Sequence, residues 1–252
     1  VLISPIEQER TWGISCILRA RTTSGDIYFK AATRWPLAAH EPALTQALAG
    51  MYPDCVAAPL VVDFERHWML LPDPGLVIDG ESDVSIYEES LRKCGEVQRD
   101  SAARVDELFA AGCTDRRLPV LEAQIDPLLG DPDALSRLSA PEIDQIRGLG
   151  PELKRKCSEL ADYKVPPTLV HGDFHPANMA RHHGGDVFLF DWTDGCVSHP
   201  FFDLVTMLDN DNEFPVVHAA RRRLLDVYVS VWLDYEPMER LRGVRHLAKP
   251  LG

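Results

Sequence analysis

Near its C-terminal third the chain reads Leu169-Val170-His171-Gly172-Asp173-Phe174-His175-Pro176-Ala177-Asn178, and thirteen residues beyond Asn178 the apolar run Val187-Phe188-Leu189-Phe190 delivers Asp191. Pro176 disfavours helix at His175 and fixes its own backbone, so an extended loop is expected that turns Asp173 and Asn178 into one cleft. The flanking runs Thr168 to Val170 and Val187 to Phe190 read as strands. Magnesium takes hard oxygen donors and keeps positions open for water and phosphate, which suits an Asn178 carbonyl and an Asp191 carboxylate. Asp173, held off the metal, can then accept the proton of an attacking hydroxyl. Isolated Asp-x-x-x-x-Asn matches are commonly ordinary turns; a following strand that ends in a second Asp sets this one apart and points to phosphoryl transfer.

HGDFHPAN and FLFDWTDG resemble the aminoglycoside phosphotransferase family of small-molecule kinases, whose catalytic loop has the form His-Gly-Asp-x-x-x-x-Asn followed by a strand and an Asp-Trp. The stretch Cys196-Val197-Ser198-His199-Pro200-Phe201-Phe202-Asp203-Leu204 is similar to the family's continuation, in which an Asp opens a helix and braces the catalytic loop. The resemblance gives Asp203 that structural duty. It gives His171 a supporting role under the loop backbone.

The resemblance implies an α+β, bilobal, protein-kinase-like fold: a small N-terminal antiparallel sheet lobe with one helix, residues 1–73, and a larger, mainly helical C-terminal lobe, residues 74–252, that carries catalysis and the acceptor site. A strand Lys and a helix Glu are then expected early in the chain. Asp26-Ile27-Tyr28-Phe29-Lys30 reads as a strand after a Ser24-Gly25 turn, with Ile27 and Phe29 on one face and Lys30 opposite. Lys30 is the only lysine in the first ninety residues. Eleven positions on, Glu41-Pro42 opens a segment with Leu44, Ala47, Leu48 and Met51 at helical spacing, and Pro42 is tolerated in a first turn. By resemblance, Lys30 grips the nucleotide's phosphates and Glu41 orients it through an ion pair. Taken alone, the same residues read as a surface lysine and a first-turn glutamate favoured by the helix dipole.

The phosphate-covering turn is assigned to Thr11-Trp12-Gly13-Ile14-Ser15, with Trp12, Gly13 and Ser15 as its candidate nucleotide contacts; with one glycine, it reads equally as a plain hairpin. Val56 to Val62 and Trp68 to Leu71 are expected strands. The second runs into Pro72-Asp73-Pro74-Gly75, a punctuated segment placed as the hinge, where Leu71 to Asp73 should hold a base through their backbone.

Further on, Asp83 to Ala111 reads as one long helix. Pro119 to Leu129 and Ala140 to Tyr163 follow as helices, the latter with a possible break at Gly150-Pro151. Phe202 to Leu208 and Ala219 to Leu233 are further helical segments, separated by the acidic tract Asp209-Asn210-Asp211-Asn212-Glu213. That tract reads either as a solvated helix-end loop or as carboxylates for an amine-bearing acceptor. Asp194 has two open readings, a cleft-facing substrate contact or turn chemistry in Trp192-Thr193-Asp194-Gly195. His175 and His199 either line the acceptor pocket or brace the loop. His182-His183 before Gly184-Gly185 reads as an exposed hairpin turn.

A chain of 252 residues with 45% hydrophobic content can bury a core spread over two lobes. Its net charge of −13 disfavours nucleic acid and anionic membranes and favours a cationic acceptor. No run approaches the roughly 18 apolar residues of a membrane span, and no secretory segment opens the chain, so a cytoplasmic protein is expected. Six scattered cysteines without a Cys-x-x-Cys pair argue against a zinc site or a disulfide framework. The chain opens at Val1 without methionine and stops at Leu251-Gly252 in a segment expected to continue.

The reading is an enzyme that moves the terminal phosphoryl group of ATP or GTP, with Mg2+, to a hydroxyl of a small molecule such as an aminoglycoside, amino sugar or amino alcohol. Two alternatives stand beside it. A nucleotide-binding pseudokinase with a regulatory role is permitted by the poor glycine loop. A metal-dependent hydrolase could draw ligands from His171, Asp173, His175, His182, His183 and Asp191, but it leaves Lys30 and Glu41 without a task.

Overall fold

In the computed structural model, residues 1–35, 38–78, 82–182, 184–209 and 215–251 are described. Five antiparallel strands open the fold: β1 (Glu7–Trp12), β2 (Ser15–Thr22), β3 (Gly25–Ala32), and, after helix α1 (Glu41–Met51), β4 (Val61–Asp63) and β5 (Trp68–Pro72). Their order in the sheet is β1-β2-β3-β5-β4. The alternation across β3 works as expected. Phe29 packs edge-on against Trp68 (5.5 Å between ring centres) on one face, and Lys30 is buried from the other.

Strand β6 (Leu76–Val77) begins the rest of the chain, followed by α2 (Val84–Ser101), α3 (Val105–Ala110), β7 (Thr114–Asp115), α4 (Leu118–Gly130), α5 (Ala140–Gly148), α6 (Gly150–Ala161) and β8 (Thr168–Val170). Then come β9 (Met179–Arg181), β10 (Val187–Leu189), β11 (Cys196–Ser198), α7 (Asp203–Asp209), α8 (Pro215–Ser230) and α9 (Met238–Ala248). Two three-stranded sheets, β10-β9-β6 and β7-β11-β8, carry the loops between these strands. The helices bury their apolar faces around them in a core that includes Leu91, Leu108, Trp192, Phe201, Leu224 and Trp232.

Several expected elements differ. The long helix over 83–111 is two helices. At its break the Ser101 hydroxyl donates to the Gln98 carbonyl (2.6 Å) and accepts the Leu169 N–H (2.9 Å), tying the helix end to β8. The stretch 140–163 likewise splits, because Gly150-Pro151 starts a new helix and Pro151 has no N–H to continue the old one. The strand over 56–62 shrinks to its end, Val61–Asp63. Pro59 cannot donate to a ladder, and the Cys55 carbonyl instead accepts the Leu189 N–H (2.8 Å). Helix α9 was not anticipated. The acidic tract beyond Asp209 lies outside the described residues. All six cysteines are free thiols, and among the described residues no helix is long and apolar enough to cross a membrane.

Candidate active site

Lys30 stands where three elements meet. Its ammonium donates to Glu41 Oε1 (2.6 Å) at the start of α1, to Asp191 Oδ1 (2.7 Å) just after β10, and to Thr193 Oγ1 (3.0 Å) in the 3-10 turn that follows. Thr193 in turn donates to Asp191 Oδ1 (2.6 Å). The side chains of Lys30 and Glu41 are 5% and 2% exposed, whereas that of Asp191 is 35% exposed. Burial alone would push the Lys30 ammonium down; Glu41 and Asp191 outweigh it and hold it above its ordinary value, so the proton stays on lysine. Burial would raise the Asp191 carboxyl, but the Lys30 charge dominates and holds it at about 2. Asp191 Oδ1 faces Lys30, which leaves Oδ2 as the oxygen for a ligand.

The loop carrying Asp173 is hung from one buried carboxylate. Asp203, at the head of α7, accepts the backbone N–H of His171 (2.9 Å) and of Gly172 (2.8 Å), one on each oxygen, and the Gln98 side-chain amide from α2 (2.8 Å). The Tyr228 hydroxyl of α8 donates to the Gln98 Oε1 (2.5 Å), so two helices hold the brace. Burial pushes Asp203 up to about 7, against the pull of its three donors. Gly172 has φ +83, and a Cβ there would lie 2.5 Å from the Asp194 carbonyl oxygen, so only glycine fits. His171 is kept neutral by burial. Its Nε2–H donates to the Phe190 carbonyl (3.0 Å) and its Nδ1 accepts the Asp173 N–H (3.4 Å), which fastens the loop to the strand that ends at Asp191.

The expected extended loop holds only as far as His175. Residues Pro176–Asn178 form a 3-10 turn, for which the fixed φ of Pro176 is well suited. The turn aims Asn178 back at Asp173: its Nδ2 donates to the Asp173 carbonyl (2.9 Å) and to Asp173 Oδ2 (3.1 Å). Asn178 Oδ1 is therefore the atom of that amide with lone pairs to give a cation. The Asn178 carbonyl also accepts the Phe190 N–H (3.1 Å), which sets Asp191 beside this turn. Asp191 itself adopts a left-handed conformation, φ 64, that turns its side chain out of the strand. His175 Nε2 lies 3.3 Å from Asp173 Oδ2, and that contact, ahead of the opposing effect of burial, lowers the Asp173 pKa. Asp194 is half-buried; burial and then the charge of Asp173 raise its carboxyl.

Between the first sheet and β10 lies a cavity of about 220 Å³ whose walls include Tyr28, Lys30, Leu71, Asp73, Val77 and Phe190. Its apolar sides and charged end suit a flat heterocycle with a phosphate tail. Leu71 and Asp73 sit where the hinge was expected. Gly75 has φ +105, and a Cβ there would lie 2.3 Å from the Arg181 carbonyl oxygen. Trp12 ends β1 and Gly13 turns the chain into Ser15; the residue of that hairpin that walls the cavity is Ile17. Tyr28 was readable as Lys30's neighbour on the same face of β3. Thr193 and Gln98 carried no local signal, because their partners are distant in sequence.

His199 is buried away from Asp173, at the far end of β11. His182 is stacked on Phe188 (4.7 Å) rather than exposed, and His183 lies outside the described residues. Among the described residues no three His, Cys, Asp or Glu side chains converge as metal ligands. Asn178 and Asp191 offer the sparse oxygen pair that magnesium shares with phosphate.

A profile of the phosphotransferase enzyme family matches residues 34–243. The chain belongs to this family. Among solved structures, a choline/ethanolamine kinase family protein from Mesorhizobium loti aligns with a TM-score of 0.66 at 16% identity, over 99% of this chain and 76% of its own. The GDP and kanamycin complex of APH(2")-IIia aligns at 0.66 and 15% identity, over 100% and 84%. The macrolide 2'-phosphotransferase MphH from Brachybacterium faecium aligns at 0.60 and 19%, over 98% and 84%. Curated protein sequences gave no significant match. The phosphotransferase thus has the protein-kinase-like architecture of small-molecule kinases, with a sheet lobe ahead of a largely helical one.

Proposed function

We propose that this phosphotransferase transfers the terminal phosphoryl group of ATP or GTP to a hydroxyl of a small, amine-bearing molecule. The observation that carries the reading is the position of Lys30, bonded at once to Glu41 and Asp191 across the mouth of an apolar cavity. Residues 1–73 form the nucleotide lobe and residues 74–252 supply catalysis and the acceptor site. The base lies against Leu71 to Asp73 and Val77, and Lys30 reaches the phosphates while Glu41 fixes its direction. Trp12 to Ser15 cover the phosphates from above. Asn178 and Asp191 would hold magnesium, which would supply neutralisation of the phosphate charge. Asp173 aligns the acceptor hydroxyl and receives its proton. It is ionised for that task, and the backbone bonds to Asp203 and the amide of Asn178 keep it in place.

The acceptor approaches over Asp173, Asp194 and His175. Two carboxylates there, in a chain of net charge −13, attract an amine. Aminoglycosides, amino sugars and amino alcohols share that chemistry. Nucleoside triphosphates place the activity in the cytoplasm. The test is release of nucleoside diphosphate across a panel of aminoglycosides, amino sugars, amino alcohols and nucleosides, with Asp173→Ala in parallel. Turnover of the best acceptor should fall by about 10²–10⁴-fold in the variant while nucleotide still binds. Near-normal turnover in Asp173→Ala would remove Asp173 from this role; tight nucleotide binding without turnover of any acceptor would favour a regulatory pseudokinase.

A further inference from the structure

The first sheet has two faces of opposite character. Towards the nucleotide cavity, Ile17, Tyr28, Lys30 and Met69 form the wall, and Arg19 on the same face is paired with Asp26 (2.7 Å). On the other face the strand registers set the side chains in rows. One row runs Leu18, Phe29, Leu70, Val61 across β2, β3, β5 and β4; the next runs Cys16, Ala31, Trp68 and ends at Asp63. An antiparallel sheet with one face turned inward commonly presents polar side chains to water on the other. Here the outward rows are apolar. Among the described residues none of these apolar side chains is buried, none belongs to the hydrophobic core, and Val61 and Trp68 are 58% and 42% exposed.

The face also carries no net charge. The one charged side chain in these rows, Asp63, is paired with Arg66 (2.8 Å), whose guanidinium lies over the Trp68 ring (5.7 Å). In a chain of net charge −13 this is a surface on which two copies can meet without opposing like charges. Its size is adequate. Five strands about 4.8 Å apart, averaging about six residues at roughly 3.3 Å each, give a projected face of roughly 500 Å². Standing side chains raise its accessible area towards the roughly 600–1,000 Å² that each partner buries in a stable dimer. A contiguous apolar patch of that size marks an interface.

We propose that this face docks a second copy of the chain, with the two sheets packed face to face about a two-fold axis that runs along β3. The relief of the face selects that axis. The bulky Trp68, Leu70 and Val61 lie on the β5 and β4 side of β3, and the small Cys16 and Ala20 lie on the β2 side. Rotation about β3 lays β5 of one copy over β2 of the other, so Trp68 fills the hollow at Cys16 of the other copy while Phe29 meets its own counterpart. An axis across the strands would stack bulk on bulk. The nucleotide cavities lie on the opposite faces and stay open in both copies.

Sedimentation velocity on the full chain, without nucleotide or acceptor, tests this independently of the kinase reading. Between about 1 and 100 μM the chain should pass from monomer to dimer, as a micromolar Kd gives. Val61→Lys and Trp68→Lys each place an ammonium in the contact at an exposed position that leaves the fold intact, checked by circular dichroism, and each should weaken the dimer by roughly tenfold or more. Trp68→Lys mixed with Cys16→Glu should recover a dimer holding one of each, because the two-fold sets position 68 of one copy against position 16 of the other and joins the new ammonium to the new carboxylate. If Cys16→Glu does not fold, Val61→Lys and Trp68→Lys decide the matter. A wild-type chain that stays monomeric through this range assigns the face to a different partner and overturns the proposal. So does a dimer undiminished in Val61→Lys and Trp68→Lys, or a mixture of folded Trp68→Lys and Cys16→Glu chains that forms no mixed dimer.

Discussion

Lys30→Met removes the cation from a buried cluster and leaves the carboxylates behind. Methionine keeps the length and apolar stem of the side chain, so the change isolates the charge. Glu41 loses its ionic partner among the described residues while 2% exposed, whereas Asp191, at 35%, can turn part of its field to water and loses less. Breaking a buried pair from one side destabilises by about 3–5 kcal/mol, a large part of the roughly 5–15 kcal/mol that holds a domain. The loss should depend on pH. Burial already holds the Glu41 carboxyl above its ordinary 4.5 in spite of Lys30; without Lys30, burial and the charge of Asp191 lift it further, against only the Thr193 hydroxyl. A group raised in the folded state keeps its stability below the unfolded pKa and loses it as pH climbs towards the folded one, by up to about 1.4 kcal/mol per pH unit. Urea titrations at several pH values between about 5 and 8 should therefore show the variant close to wild type at the acid end and falling away above it. Adding Glu41→Met should restore most of the loss, since apolar replacement of a buried pair is often neutral. A variant as stable as wild type at the alkaline end, or a deficit that does not change with pH, would refute the account of a buried, desolvated clasp.

Asp203→Ala leaves two backbone N–H groups and the Gln98 amide without an acceptor; at about 1–3 kcal/mol each, the loss should reach about 3–9 kcal/mol in denaturant titration. Asp191→Ala should abolish the magnesium-dependent part of nucleotide binding, read by calorimetry with and without the metal; equal heats in both conditions would take Asp191 out of the metal site. Gly75→Ala forces a Cβ against the Arg181 carbonyl at a positive φ and should destabilise by about 1–3 kcal/mol, seen as a lowered thermal midpoint.

The residues that lie close in sequence and carry strong chemistry were the legible ones. Asp173, Asn178 and Asp191 declared themselves through one loop and one strand, and the alternation of β3 placed Lys30 on the right face. The protein-kinase-like fold followed from those motifs. Long-range partnerships were not legible. Nothing beside Thr193 signals that its hydroxyl meets Lys30, and nothing in α2 marks Gln98 as the link between Asp203 and Tyr228. Helix ends were misjudged where a tertiary bond decides them, as at Ser101, whose hydroxyl is claimed by β8. Strands β9 and β11 have three residues each, too short for any periodicity to register. His182 looked like a turn residue because its stacking partner, Phe188, lies across the hairpin.

Strand β6 follows the hinge directly and zips onto β9, Leu76 opposite Arg181 and Val77 opposite Ala180, and the Ile78 N–H continues to the Met179 carbonyl. Met179 is the residue after Asn178. The wall of the cavity at Val77 and the Asn178 turn thus belong to one backbone ladder. Any opening of the first sheet away from β10 would have to break the Lys30 bonds to Asp191 and Thr193 together with the bond from the Leu189 N–H to the Cys55 carbonyl.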